Sequence, residues 1–229
     1  MASIISFPGG YHGAWYFSPI MPRLRNAGHD AHALTLTGLG GPPGRHWPAI
    51  NLDTHIEDVV SYIESEKLTD VVLCCHSDAG LVIAGAAGRL PGRIRTLLFI
   101  DALVPRDSES GWSTLGARTT RCVRSQLARR DRDEPAPGVD CRARPHPLAC
   151  FLQPVRLGDH AYQVDEKVFV SCRAWADGPY EAIHERVVAE GDWTIHRIPF
   201  GHDIMNEAPD VTLELLLATS ERRPFSLSS

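Results

Sequence analysis

The sequence contains very little lysine, and its charge balance is acidic. Lys67 and Lys167 are the lysines among 23 basic residues, and the formal net charge is −5. Proteins that bind nucleic acid through phosphate contacts need a basic surface, which this charge balance does not provide. There is no long acidic tail either. We therefore expect no nucleic-acid partner.

Long apolar runs are also lacking. No stretch of the sequence approaches the roughly 20 apolar residues that a transmembrane helix needs. The first residues pass directly into the apolar segment Ile4–Phe7, without the basic region and long apolar core of a signal peptide. We therefore expect a cytoplasmic protein that has no membrane partner.

The cysteines form no recognisable metal-binding or redox pattern. No C-x-x-C pair is present, and no histidine stands at metal-ligand spacing from a cysteine. The six cysteines are Cys74, Cys75, Cys122, Cys141, Cys150 and Cys172. Free thiols that pack in the interior are the expected outcome, and we expect no metal or other cofactor.

Strand and helix patterns alternate along most of the chain, whose 229 residues suit one domain. Such alternation is typical of an α/β fold with a mostly parallel sheet and helices on both faces. The predicted strands cover 4–7, 30–37, 94–100, 167–172 and 193–198, with a further strand from 71. The predicted helices cover 14–26, 52–63 with Asp53 or Thr54 as a cap, 81–87, 180–190 and a C-terminal segment through Leu216.

The alternation is interrupted between residues 106 and 162. This segment is rich in arginine and proline and has no clean period, and it is too long for a plain loop. We predict an inserted cap at 106–162, with Ser113–Leu127 as its best helix candidate. The predicted α/β core then consists of 1–105 and 163–229.

Ser77 lies at a turn of small residues between an apolar strand and a helical run. A serine in such a strand-turn-helix elbow adopts a strained conformation that lifts its hydroxyl above the sheet. The residues two before and two after it must then be small, and here they are Cys75 and Ala79. The pattern is weak by itself, but its context favours Ser77 as a nucleophile.

A serine nucleophile requires a base and a carboxylate at the same edge of the sheet. His202 follows the last predicted strand in a Gly-His-Asp turn, where the carboxyl ends of parallel strands meet. Two carboxylates follow neighbouring strands. Asp101 directly ends a buried strand, where an unpaired charge is costly, and Asp177 fits a turn or helix cap. We favour Asp101 as the triad acid and keep Asp177 as the alternative.

An oxyanion hole needs two backbone N–H groups. The residue after the nucleophile, Asp78, supplies one. The glycine-rich loop after the first strand supplies the other from Gly10, because its glycines let the backbone approach a substrate closely. An ordinary glycine-rich turn is the alternative for this loop.

Five segments together match motifs of one known family. They are Gly9-Gly10-Tyr11-His12-Gly13-Ala14-Trp15, His76-Ser77-Asp78-Ala79-Gly80, Phe99-Ile100-Asp101-Ala102-Leu103-Val104-Pro105, Pro147-Leu148-Ala149-Cys150-Phe151-Leu152-Gln153-Pro154 and Gly201-His202-Asp203-Ile204-Met205. The chain resembles the α/β-hydrolase superfamily, specifically the small-esterase branch of plant methylesterases, hydroxynitrile lyases and bacterial relatives. The resemblance spans nearly the whole chain.

The resemblance implies a cofactor-free serine hydrolase that cleaves an ester, thioester or lactone through an acyl-enzyme. Pro8 replaces the family's usual histidine before the oxyanion loop, and Trp175 stands where plant members place the triad acid. Asp78 puts a carboxylate where the family often has an aromatic or apolar residue. Asp203 replaces the lysine of the hydroxynitrile lyases, which argues against lyase chemistry.

The expected partner is a small to medium, mostly apolar small-molecule substrate. A biosynthetic tailoring enzyme that uses the same serine for lactone opening, deacylation or cyclisation is one alternative. A non-catalytic ligand-binding protein on the same fold is another, because a fold does not dictate a function. Whether the chain forms a homodimer stays open.

Overall fold

Six parallel strands form one sheet at the centre of the molecule. The computed structural model describes residues 1–40, 49–115, 140–174 and 180–226. The strand order is β2-β1-β3-β4-β5-β6, and every neighbouring pair is parallel. The strands are β1 (Ser3–Phe7), β2 (Asp30–Ala33), β3 (Val71–His76), β4 (Ile94–Ile100), β5 (Glu166–Cys172) and β6 (Thr194–Ile198). The predicted α/β architecture with a parallel sheet is confirmed.

Helices cover both faces of the sheet. They are α1 (Met21–Asn26), α2 (Leu52–Ser65), α3 (Ala79–Arg89), α4 (Gly111–Leu115), α5 (Leu148–Leu152), α6 (Glu181–Glu190), α7 (Ile204–Glu207) and α8 (Pro209–Glu221). One core cluster joins α2, α3 and α6 to the sheet, and a second joins α1 and α8 to its other face. Within the described ranges, no helix combines the length and apolar character needed to cross a membrane.

The alternation of side chains along β3 divides its residues between the two core clusters. Cys75 belongs to the cluster under α2 and α3, and Cys74 belongs to the cluster under α1 and α8. Both residues are fully buried. Successive side chains of a strand point to opposite faces, so a strand covered on both sides is apolar throughout.

Prolines determine where two of the helices begin. The predicted helix over 14–26 is a 3₁₀ turn at Ala14–Phe17 followed by α1, which has Pro22 in its first turn. Pro209 is the first residue of α8 and separates it from the short helix α7. Proline has no N–H to donate and is tolerated mainly in the first turn of a helix, so a new helix begins at each one.

The predicted end of the second strand was wrong, and the cap of α2 differs from the prediction. The second strand ends at Ala33, because Thr37 instead donates its N–H and hydroxyl to the Asp58 carboxylate at 2.7 and 2.9 Å. Asn51 is the cap of α2, since its side chain accepts the Thr54 N–H at 3.1 Å. Of the two predicted caps, Thr54 takes part by accepting the Asn51 N–H on its hydroxyl at 3.3 Å, and Asp53 does not. A side-chain oxygen one residue ahead of a helix satisfies amides that have no intrahelical partner.

Two glycines bring α3 into direct contact with the main chain of neighbouring segments. A Cβ at Gly80 would lie 1.8 Å from the Leu103 carbonyl oxygen, and one at Gly88 would lie 1.8 Å from that of Leu157. Neither distance leaves room for a side chain. The helix behind Ser77 is therefore positioned by backbone atoms at both of its ends.

Part of the predicted cap lies within the described residues. Of the predicted helix Ser113–Leu127, α4 includes the start, and residues 116–127 lie outside the described ranges. Gln153, directly after α5, accepts the Leu52 N–H at 3.0 Å and donates to the Asp53 carboxylate at 2.7 Å. These bonds tie α5 to the beginning of α2. The division into core and cap remains a prediction.

Candidate active site

Ser77 connects β3 to α3 in a left-handed backbone conformation with φ 59°. This region is uncommon for residues other than glycine and costs on the order of 1–3 kcal/mol. The Ser77 carbonyl accepts the Leu103 N–H at 2.9 Å, which helps to hold the turn. A Cβ at Gly9 would lie 2.5 Å from the Ser77 Cβ, so the loop after β1 packs directly on this turn. The predicted strand-turn-helix geometry is therefore present.

His202 lies beside Ser77 at the carboxyl edge of the sheet, as its place after β6 predicts. Its Nε2 is 3.1 Å from the Ser77 Oγ. The imidazole stacks on the Tyr180 ring with a centroid distance of 4.9 Å and an interplanar angle of 13°. On another side it contacts His76, whose Nε2 is 2.8 Å from the His202 carbonyl oxygen. These contacts fix both the ring and the backbone of His202.

Asp101 is the carboxylate that contacts His202. Its Oδ2 is 2.6 Å from the His202 Nδ1, and its Oδ1 accepts the Cys172 N–H at 3.3 Å. The Asp101 side chain is 4% exposed, so both oxygens have partners away from solvent. Asp177, the alternative acid, lies outside the described residues, as does Trp175.

The Ser77–His202–Asp101 arrangement can transfer a proton from the serine hydroxyl to the imidazole. The Asp101 contact at Nδ1 leaves Nε2 to accept the hydroxyl proton. A carboxylate at that position also stabilises the imidazolium that forms. The geometry therefore matches that required of an activated serine nucleophile.

Gly10 and Asp78 meet beside the elbow, but in a way that the sequence did not predict. The Gly10 N–H donates to the Asp78 Oδ1 at 2.5 Å. The Asp78 side chain therefore occupies the acceptor position that the oxyanion hypothesis assigns to a substrate oxygen. The Asp78 Oδ2 is 3.3 Å from the His146 Nε2, and both side chains are mostly buried.

Tyr180 is a site residue that the sequence analysis missed. Its hydroxyl is 2.9 Å from the Ser77 Oγ, and it immediately precedes α6. The available signal was its position after a Gly-Pro pair, at the carboxyl end of the sheet. A helix that begins at this edge of the sheet has its first residues near the site. The sequence does not show which strand end Tyr180 lies beside, so its contact with Ser77 was not predicted.

Burial keeps two histidines near the site in their neutral form. Desolvation and the neighbouring His202 imidazole lower the pKa of His76 well below its usual value. Desolvation, with a smaller contribution from His146, lowers the pKa of His55 to about 4. A buried imidazole without a nearby counter-charge loses its proton more easily than one in water.

Comparisons with known proteins agree with the fold. A family model described as the alpha/beta hydrolase family matches residues 4–220. A carbendazim hydrolyzing esterase from Nocardioides sp. (strain SG-4G) is 30% identical over 240 residues, which cover 95% of this chain and 99% of that protein. An alpha-hydroxynitrile lyase from Arabidopsis thaliana is 31% identical over 96 residues, 42% of this chain and 37% of that protein.

The fold is also similar to that of solved structures. An extracellular alpha/beta-hydrolase from a Paenibacillus species superposes with a TM-score of 0.78 at 20% sequence identity. The superposition covers 96% of this chain and 99% of that one. At this identity the similarity shows a shared fold and does not identify the substrate.

Proposed function

Because the chain belongs to the α/β-hydrolase family and is a hydrolase of esterase type, we propose that it cleaves a carboxylic ester, thioester or lactone through an acyl-enzyme on Ser77. The observation that carries the proposal is the pair of contacts from His202, 3.1 Å to the Ser77 Oγ and 2.6 Å to the Asp101 Oδ2. The proposed substrate is a small to medium, mostly apolar molecule, and the reaction uses no cofactor.

In the proposed mechanism, His202 Nε2 takes the hydroxyl proton while the Ser77 Oγ attacks the carbonyl carbon. Asp101 stabilises the imidazolium, and the backbone N–H groups of Gly10 and Asp78 stabilise the oxyanion. His202 then protonates the leaving group, and the acyl-enzyme forms. A water molecule, deprotonated by His202, completes the reaction by hydrolysing the acyl-enzyme.

A fluorophosphonate probe tests this proposal. The activated Ser77 Oγ should attack the phosphorus and displace fluoride, so mass spectrometry should find one added phosphonyl group on the peptide containing Ser77. Hydrolysis of a chromogenic short-chain ester should fall in parallel with labelling. Denatured protein is the control, because labelling requires the His202 contact.

The outcome of labelling also separates the alternatives. Labelling of Ser77 without turnover of simple esters would favour a tailoring enzyme that acts on a more elaborate acyl compound. A folded protein that shows neither labelling nor turnover would contradict the proposal and favour a ligand-binding protein.

The Asp78 carboxylate is expected to restrain this activity. Its Oδ1 accepts the Gly10 N–H, so a substrate oxygen must displace an anion from that donor. The substitution Asp78→Ala removes the anion and keeps the backbone N–H at position 78. Since one oxyanion donor contributes about 10²-fold to kcat, we expect kcat for a neutral short-chain ester to rise roughly tenfold or more.

The matched variant Asp78→Asn removes the charge but keeps an oxygen that can accept the Gly10 N–H. We expect a smaller increase in kcat for this variant than for Asp78→Ala. Steady-state kinetics on both, with circular dichroism to verify folding, measures the difference. A lower kcat in folded Asp78→Ala would show instead that the carboxylate assists the reaction.

A further inference from the structure

A small cavity lies beside the elbow and is lined by two imidazoles and a thiol. His55, His146 and Cys150 share it with Asp78 and with apolar side chains such as Leu36. Its volume is about 10 Å³, which is room for about one water molecule or ion. An organic substrate does not fit in this space, and an ion does.

The three side chains place their donor atoms close together. One donor atom from each of His55, His146 and Cys150 lies within 4.8 Å of the other two. The Cys150 Sγ contacts the His55 ring, 3.7 Å from Nε2. Donors of a tetrahedral zinc site are separated by roughly 3.3–3.6 Å, given zinc bonds of about 2.0–2.3 Å. Small side-chain adjustments would therefore bring the three atoms to coordinating distance.

Both imidazoles have one nitrogen with an oxygen partner, and within the described ranges the other nitrogen has none. His55 Nε2 is 2.9 Å from the Thr37 carbonyl oxygen, and His146 Nε2 is 3.3 Å from the Asp78 carboxylate. Among the described residues, neither Nδ1 has a hydrogen-bond partner. Leaving a buried polar atom unpaired costs about 1–3 kcal/mol. His146 fits the arrangement of metal-binding histidines, which typically have an outer carbonyl or carboxylate on the nitrogen that does not bind the metal. In His55 the nitrogen beside the Cys150 Sγ is the one that faces the Thr37 carbonyl oxygen, so zinc binding there replaces that hydrogen bond.

The donors are buried and come from two separate segments of the chain. His55 belongs to α2, Cys150 belongs to α5, and His146 precedes α5. His55 is fully buried, Cys150 is 3% exposed, and the His146 side chain is 8% exposed. Because Gln153 bonds α5 to the beginning of α2, the protein fold itself brings these donors together.

We propose that His55, His146 and Cys150 form a zinc-binding site next to the elbow. One thiolate and two neutral imidazoles match the sulfur and nitrogen ligands that Zn²⁺ takes in proteins, with a fourth position for water. Binding releases the Cys150 thiol proton to solvent, since the thiolate is the ligand. His146 contacts the Asp78 carboxylate, which in turn accepts the Gly10 N–H. Zinc bound to His146 would therefore place a cation close to the negative charge of Asp78.

Cobalt binding tests the site with a readout that does not depend on activity. The full chain is treated with a chelator, freed of it and titrated with Co²⁺, whose thiolate complexes absorb in the near ultraviolet. We expect one equivalent of Co²⁺ to produce a thiolate-to-cobalt band and an equivalent of Zn²⁺ to displace it. The variant Cys150→Ser should lose the band and bind at least about 100-fold more weakly, because losing a ligand costs more than the roughly 10–100-fold loss typical of an outer partner.

Two further variants serve as control and check. Cys141→Ser removes an exposed thiol and should bind Co²⁺ as the wild type does. His146→Gln leaves Cys150 in place and should also weaken binding, while circular dichroism verifies folding. An unchanged band in Cys150→Ser, or folded wild-type protein that binds neither ion, would overturn the zinc site. Fluorophosphonate labelling of Ser77 is measured separately, so failure of the zinc site is distinct from failure of the proposed hydrolase.

Discussion

The substitution Ser77→Ala is expected to reduce kcat for ester hydrolysis by about 10⁶-fold, because the nucleophile is lost and no acyl-enzyme can form. The remaining activity would come from whatever the oxyanion donors contribute to direct attack by water. Alanine tolerates φ 59° about as poorly as serine does, so the backbone strain at this turn stays nearly the same. The expected change is therefore catalytic, with little change in stability.

Steady-state kinetics with a chromogenic ester and a thermal melt measure both quantities. Ser61→Ala is the matched control, since Ser61 is exposed on α2 and contacts Glu57 there. The control should retain full activity. Wild-type turnover in a carefully purified Ser77→Ala sample would rule out Ser77 as the nucleophile.

The substitution Asp101→Asn is expected to reduce kcat by about 10⁴-fold at neutral pH. An asparagine amide at this position donates to the His202 Nδ1, which places the remaining ring proton on Nε2, facing Ser77. The imidazole then cannot accept the hydroxyl proton. Asparagine also cannot stabilise the imidazolium that forms during attack. Both losses act on the transition state, so KM should change much less than kcat.

The kinetics of Asp101→Asn should be measured beside those of Asp159→Asn, which alters an exposed aspartate away from the His202 ring. Because Asp101 is nearly fully buried, neutralising it removes a desolvation cost, and the melting temperature should not fall sharply. An activity loss below about tenfold, with the fold intact, would indicate that another carboxylate serves His202. Asp177 is then the residue to replace.

The sheet and the contacts of Ser77 could be predicted from the sequence because each depends on local patterns. The position of β4 follows from the apolar run Leu97–Ile100 and from the Pro91-Gly92 pair that precedes the strand. Parallel topology then brings the ends of β3, β4 and β6 to one edge, which is why Ser77, Asp101 and His202 could be placed together. The resemblance to the α/β-hydrolase superfamily, inferred from short motifs, is confirmed by the family match over residues 4–220.

Features that depend on side-chain direction could not be predicted in this way. Nothing in the sequence reveals that the Asp78 carboxylate turns toward the Gly10 N–H rather than toward solvent. His55 is distant along the chain from His146 and Cys150, and the His146-x-x-x-Cys150 pair alone gives no spacing motif of the kind that identifies most zinc sites. The same applies to Tyr180, which reaches Ser77 only because α6 begins beside it.

The two close approaches of α3 at Gly80 and Gly88 bear on how this enzyme can change over evolution. Each glycine meets a carbonyl oxygen, an atom that every residue type supplies, so these contacts do not depend on the side chains of Leu103 or Leu157. Residues around the substrate can therefore be exchanged without moving the helix that follows the nucleophile. Any side chain at Gly80 or Gly88 would instead displace α3, and with it the amides that follow Ser77.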